Sequence, residues 1–196
     1  MTKQQCRCSW CGTDPLYCDY HDKEWGIPLH DEQQLFELLI LEGAQAGLSW
    51  ITVLRKRENY RLAFDHFNPE KIARYSEAKK AKLLLNEGII RNRLKIDSVI
   101  RNAKALLAMR EAGENFSEFL WSFVGGKPKQ NQWQKLSDAA TSTPESDAMS
   151  KALKQKGFNF VGSTICYAFM QASGMVNDHV IDCYRYKECA KLGKQK

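Results

Sequence analysis

No apolar run in this 196-residue chain approaches the length needed to cross a bilayer. The first residues, MTKQQCRCSW, lack the apolar centre of a secretory signal, so no membrane is expected as a partner and the chain is expected in the cytoplasm. Alternating strand patterns are equally scarce: Phe158-Asn159-Phe160-Val161 comes nearest and is short. Repeats and low-complexity tracts are absent. The seven cysteines are odd in number, which argues against a disulfide framework and for thiols or metal ligands.

What is present reads as a helical globular chain. Hydrophobic residues make up 43% and charged residues 27%, enough for one core or for two lobes sharing an interface. The net charge is +6, from 29 basic and 23 acidic residues, which is compatible with nucleic acid without establishing it. Arg55, Lys56, Arg57 and Arg61 fall on one predicted helix, and Arg91, Arg93, Lys95, Arg101 and Lys104 surround another. Each group alone reads as a solvated helix face; together they favour a polyanion.

Helix signals follow one another along the chain. Asn68-Pro69-Glu70 starts one helix, and Ser76 starts the next, expected to end at Gly88 in a left-handed cap. After the turn Ile89–Asn92, the stripe Ile96, Val99, Ile100, Ala103, Leu106 and Leu107 marks a long helix ending near Gly113. Asn115 caps a helix carrying Phe116, Phe119, Leu120 and Phe123. From Lys127 to Thr143 the sequence is polar and aperiodic, a surface loop. Thr143-Pro144-Glu145 opens a helix closed by Gly157, and Ser163 or Thr164 opens another that ends at Gly174. Residues 1–30 are rich in sulfur and aromatic side chains but show no period, so metal binding or packing on the body is expected to pin them. The fold class predicted is all-α.

One stretch organises the rest. Leu35, Leu38 and Leu39 share a helix face whose next position is Glu42, and Gly43 and Gly47 are expected to interrupt that helix. Ser49 then caps a helix with Trp50, Val53, Leu54 and Arg57. A carboxylate on a buried face must be paired, hydrogen-bonded or protonated. It reads either as a pocket wall beside Trp50 or as a structural acid tied to an arginine or an amide. Near the carboxyl end, His179 and Cys183 lie four apart and would share one face of a helix, as two ligands of one metal must. The first thirty residues offer Cys8, Cys11 and His21; spacing alone selects the pair Cys8-Ser9-Trp10-Cys11, and plain buried thiols and a core histidine remain open.

Several stretches together resemble the 3-methyladenine DNA glycosylase I family. They are Cys8-x-Trp10, Asp14-Pro15-Leu16-Tyr17, Tyr20-His21-Asp22-x-Glu24-Trp25-Gly26, Leu41-Glu42-Gly43-x-Gln45-Ala46-Gly47-Leu48-Ser49-Trp50 and Asn177-Asp178-His179. Trp121-Ser122-Phe123 and Gly157-Phe158-x-Phe160-Val161-Gly162 extend the likeness over nearly the whole chain. The resemblance implies an all-helical member of the helix-hairpin-helix glycosylase superfamily, with a structural zinc ion joining the termini through Cys8, His21, His179 and Cys183. It implies one catalytic domain over 1–196, with a helical lobe near 35–125 carrying the hairpin and a zinc-clamped lobe of 1–34 with 143–196. The hairpin would be the turn around Gly88–Asn92, although the fuller Gly-x-Gly pattern is lacking.

The implied reaction is hydrolysis of the N-glycosidic bond of 3-methyladenine in alkylated duplex DNA, by a monomeric enzyme without lyase activity. Glu42 would meet the amine edge of the base, and Trp10, Tyr17, Tyr20 and Trp50 would cage its positive charge. Gln45, Gly47 and Leu48 would enter the duplex, with Leu48 as a wedge or, equally, a core residue. Arg91, Arg93 and Lys95, with the hairpin amides, would hold phosphates. Asp97, the only acid placed where a catalytic aspartate would follow a hairpin, reads as surface charge.

Overall fold

In the computed structural model, which describes residues 6–194, Asp14 accepts hydrogen bonds from the amides of Leu16 and Tyr17 while Pro15 takes the first helical position. These open α1 (Pro15–Lys23) inside the segment expected to lack a helix. The cap signal is in the sequence; aromatic and sulfur side chains around the whole helix conceal its face. Next, α2 (Glu32–Gln45) is capped by Asp31 and buries Leu35, Phe36, Leu39, Ile40, Leu41, Glu42 and Ala44, which surround its axis. A helix buried all round belongs at the centre of a fold, and α2 has that place. It runs through Gly43 without the expected break. Glycine stands there because a Cβ would come within 3.2 Å of the Phe160 Cβ. The chain turns instead at Gly47, with φ +77°.

Two short helices, α3 (Trp50–Leu54) and α4 (Arg57–Ala63), divide what the sequence predicts as one, so Arg57 begins the second. The predicted caps Asn68 and Ser76 open α5 (Pro69–Ile72) and α6 (Glu77–Leu85). Gly88 is not a left-handed cap: α6 already ends at Leu85, and a Cβ at Gly88 would meet the Asn59 Cβ at 3.0 Å. The long helix is α7 (Arg93–Glu111), with Ile96, Val99, Ile100, Ala103 and Leu106 buried and Leu107 partly so. Asn115 caps α8 (Phe116–Ser122).

The polar stretch after α8 is largely exposed but holds β1 (Lys129–Gln130). A reciprocal Thr143–Ser146 capping box opens α9 (Pro144–Gln155), and α10 (Ser163–Ala172) follows it. Phe158–Val161 makes no strand, since Phe160 turns the chain at φ +56°. After α10 comes β2 (Val176–Asn177), which pairs in parallel with β1, Lys129 opposite Val176 and Gln130 opposite Asn177. The all-α expectation is corrected to that extent: the molecule is mostly helical, with one minimal parallel pair. The chain closes with α11 (Tyr184–Leu192). His179–Cys183 is a turn leading into α11, not a helix.

A single cluster of buried side chains runs through these elements, with α2 packed on α10, α7, α8 and α3, and α9 backing α10. Gly174 brings the end of α10 against the segment after α1. Its φ is +70°, and a Cβ would lie 2.4 Å from the carbonyl carbon of Ile27. Gly174→Ala therefore adds left-handed strain to an overlap that side-chain rotation does not relieve. The expected loss is about 2–5 kcal/mol, read as a lowered midpoint in urea unfolding; an unchanged midpoint contradicts this account of the contact.

Candidate active site and metal centre

Four buried side chains from the two ends of the chain converge. Cys8, His21, His179 and Cys183 place one ligand atom each within 4.8 Å of one another. The closest separations are 3.4 Å from Cys183 Sγ to His21 Nε2, and 3.5 Å from His179 Nδ1 to both Cys8 Sγ and Cys183 Sγ. Ligands about 2.0–2.3 Å from a tetrahedral ion lie roughly 3.5 Å apart, so the set has the dimensions of a metal site. The other ring nitrogens are held as well: His21 Nδ1 faces Asp22 Oδ1 at 2.8 Å, and His179 Nε2 faces the Trp25 carbonyl at 3.2 Å. Arg7 clamps Asp22 through three contacts of 2.7–3.0 Å. A hydrogen bond from Cys8, with His179 and His21 beside it, draws the Cys183 thiol far below its ordinary range. Cys11, the partner chosen by spacing, lies outside the set; its thiol donates to the Cys8 carbonyl at 3.1 Å.

This cluster leads into a cavity. Trp25 meets His179 edge-on at 4.6 Å and Trp10 at 5.0 Å, and Trp10 meets Tyr17 at 4.9 Å. Tyr20 leans on Trp50 at 5.4 Å. Together with Glu42, Gln45, Ala168 and Gln171, these rings line a cavity of ≈180 Å³. Glu42 is 4% exposed, and its Oε2 has no hydrogen-bond partner. Burial alone pushes its carboxyl up to about 8. The indole nitrogens of Trp10 and Trp50 are also buried without partners. Native interiors leave few such atoms unsatisfied, and three gathered at one cavity mark a place for a polar ligand. The structural alternative for Glu42, an acid tied to an arginine or an amide, has no support among the described residues.

A larger cavity, ≈240 Å³, lies on the other side of Tyr20 and Trp50. Its charges are matched within the chain: Arg57 grips Glu24 at 2.5 and 2.8 Å, and Arg61 holds Glu37 at 2.7 Å. Arg55 likewise pairs with Asp14 at 2.6 Å, and Lys56 donates to the Glu87 carbonyl at 2.7 Å. The first basic group expected to favour a polyanion is thus engaged by the protein itself.

Beside Glu42 a second cleft, ≈170 Å³, runs between the α2–α3 loop and α10, lined by Gln45, Gly47, Leu48, Thr164 and Ile165 among others. Leu48 is 41% exposed. Lys95 does not reach outward: its ammonium donates to the carbonyls of Ala44 and Ala46, 2.8 Å each, and closes the open end of α2. Arg91 and Arg93 are exposed at the α6–α7 turn, Arg91 with Glu87 at 3.4 Å. The turn's own amides are mostly occupied, Gly88 N by Asn86 Oδ1 and Ile90 N by the Tyr60 hydroxyl. Asp97 pairs with Lys80 at 3.2 Å. Trp25, Ala168 and Gln171 are cavity residues that sequence reasoning did not select. Trp25 carried a signal, four residues beyond His21; Gln171 carried none, being one polar position on an amphipathic helix.

A sequence profile of the family described as Methyladenine glycosylase matches residues 10–186. DNA-3-methyladenine glycosylase 1 of Escherichia coli (strain K12) is 56% identical over 180 residues, 92% of this chain and 96% of its own length. A crystal structure of a 3-methyladenine DNA glycosylase I superposes with a TM-score of 0.90 at 57% identity, covering 91% of this chain and 98% of that one. A variant of 3-methyladenine DNA glycosylase I solved in complex with 3-methyladenine superposes with a TM-score of 0.87 at 40% identity, covering 91% and 96%. With its cavity, its orphaned acid and this agreement over nearly its whole length, the chain belongs to the methyladenine glycosylase family.

Proposed function

We infer that the protein is a DNA glycosylase that hydrolyses the N-glycosidic bond of 3-methyladenine in alkylated duplex DNA and releases the free base. The observation that carries this reading is Glu42 Oε2, buried without a partner in an aromatic cavity. Methylation at N3 makes the base cationic, so the bond to deoxyribose is already weak. Binding must therefore do more than bond breaking: the nucleotide leaves the stack, and neutral adenine is refused. The rings of Trp10, Tyr17, Tyr20 and Trp50 favour a cation, each by roughly 0.5–2 kcal/mol.

Glu42 completes the selection. Near neutral pH the empty cavity holds it largely protonated. A cationic base supplies the missing counter-charge, and the carboxyl ionises as the base arrives. Neutral adenine offers no such compensation and meets a site that resists ionisation. When the bond breaks, its electrons pass to the base, which becomes neutral; the ion pair disappears and the product is held less tightly. Water takes the sugar carbon. No lysine is among the residues lining the cavity, and Lys95 is engaged by α2, which favours a monofunctional hydrolase over a lyase.

The Cys8–His21–His179–Cys183 set suits one structural zinc ion, with two thiolates and two imidazoles and no position left for water. It ties the segment bearing Trp10, Tyr17 and Tyr20 to the turn before α11. On this reading Gln45, Gly47 and Leu48 enter the duplex. The turn between α6 and α7 serves as the hairpin, with Arg91, Arg93 and the start of α7 on phosphates. A cytoplasmic location fits seven cysteines none of which is in a disulfide, and the molecule is taken to act as a monomer; no described helix is long and apolar enough to cross a membrane.

Methylated DNA incubated with the protein should yield free 3-methyladenine, and Glu42→Gln should slow that release about 10–100-fold with metal content unchanged. Equal release by the variant removes Glu42 from recognition. The same substitution should stabilise the free protein in alkali. Because the folded value of Glu42 is raised, its neutral burial is fully tolerated below about 4.5 and becomes costly as pH climbs toward 8. The melting temperature of Glu42→Gln relative to the parent should thus rise between about pH 5 and 9, by an amount equivalent to roughly 3–5 kcal/mol; a pH-independent difference speaks against a buried acid. Metal analysis should give one zinc per chain, lost in Cys8→Ala and kept in Cys11→Ala. Loss in Cys11→Ala instead would reassign the ligand.

A further inference from the structure

Charge and stacking leave one discrimination unmade. Methylating agents also produce 3-methylguanine, which carries the same methyl group and the same positive charge as 3-methyladenine. The ring cage treats both alike. They differ at C2, where only the guanine carries an amine, and at C6, an amine in one and a carbonyl in the other; the C6 edge is where the two offer opposite hydrogen-bonding groups. The ion pair with Glu42 does not by itself separate them, because the positive charge that ionises its carboxyl is common to both bases.

A second polar side chain lines the same cavity. Gln171 projects from α10, and its Nε2 donates to Asp178 Oδ2 at 2.8 Å. Asp178 is 2% exposed and also accepts from Tyr167 Oη at 2.6 Å, Asn131 Nδ2 at 2.5 Å and Trp133 Nε1 at 2.9 Å. Four neutral donors converge on it, so it serves as an acceptor only. An amide facing such a group must turn its nitrogen toward it. Gln171 lines the cavity, and its remaining polar atom, Oε1, meets no donor among the described residues. An exocyclic amine has two hydrogens; Glu42 and Gln171 offer two acceptors.

Building on the assignment of this cavity to 3-methyladenine, we propose that Gln171 determines specificity by accepting a hydrogen bond from the amine at C6 and repelling a 6-oxo purine cation. Asp178 is then the positioning residue that locks the amide in its accepting orientation. The minor strand pair contributes indirectly, since β1 and β2 bring Asn131 and Asp178 together.

The test measures release of both bases from one methylated DNA, separated by chromatography, as kcat/KM for each. The parent protein should favour 3-methyladenine strongly; failure to release it at all would sink the assignment of the cavity rather than the role of Gln171. Gln171→Leu should lower 3-methyladenine release about 10-fold or more while leaving 3-methylguanine unchanged or raised, so that the ratio contracts at least 10-fold. Gln171 is only half-buried, so this variant is expected to fold. Asp178→Asn frees the amide to turn and should shift the ratio the same way, with no further shift when combined with Gln171→Leu. An unchanged ratio in Gln171→Leu, or an equal fall in both bases, overturns the specificity role. A parental ratio in folded Asp178→Asn overturns the positioning role.

Discussion

The constraint on which the structure depends is a carboxyl group kept from water without a partner. Glu42 sits on a helix that is buried around its axis, and nothing among the described residues neutralises it. Such a group is destabilising unless it is protonated or meets a cation. The same burial that raises its pKa gives the group a strong preference for a cationic partner. A solvated carboxylate would distinguish a cation from a neutral purine poorly, since water would screen the difference. An unpartnered buried acid costs stability, as groups at functional sites commonly do.

The metal cluster and the aromatic wall form one construction. Residues 6–30 contain one 3-10 turn, Ser9–Cys11, and one α-helix, α1, and their buried side chains Cys8, Tyr20 and Trp25 pack on the rest of the molecule. The convergence of Cys8 and His21 with His179 and Cys183, and the Arg55–Asp14 and Arg57–Glu24 pairs, join that segment to the body, while the Asp14 cap and the Arg7–Asp22 pair brace it internally. Trp25 belongs to both parts: its carbonyl accepts from His179, and its ring lines the cavity. Gly26, at φ +80°, makes room for His179, whose Nε2 would lie 3.0 Å from any Cβ placed there. The Cys8–His21–His179–Cys183 cluster is therefore in direct contact with a ring that lines the cavity.

Around the cleft, most charge that looked available for DNA is engaged in holding helices together. The Arg55, Arg57 and Arg61 pairs join α3 and α4 to the two ends of α1 and to α2. Lys95 shows the same principle at closer range, since it stiffens the loop that carries Gln45 and Leu48. A protein that must hold one damaged nucleotide out of the stack gains more from a rigid wedge than from additional phosphate contacts, which carry no information about the base.

The sequence by itself determined the helices whose ends carry side-chain caps: Asn68, Ser76, Asn115 and Thr143 all open helices where their hydrogen-bonding chemistry says they should. It determined α7 through its stripe, and it carried the long motifs by which the family is identified. These features are local, so a linear reading finds them. Tertiary structure decided the rest. Spacing chose Cys11 for the metal set, whereas the fold brings in His21 from α1, and the His179–Cys183 pair converges through a turn rather than a helix. Gly43 was legible only as a helix breaker, because Phe160, the residue that requires it, lies far along the chain. Lys95 and Gln171 took their partners from elsewhere in the fold, and no periodicity encodes a contact between distant segments. What a side chain can do was written in its chemistry; what it does was settled by which distant carbonyl or carboxylate the fold placed beside it.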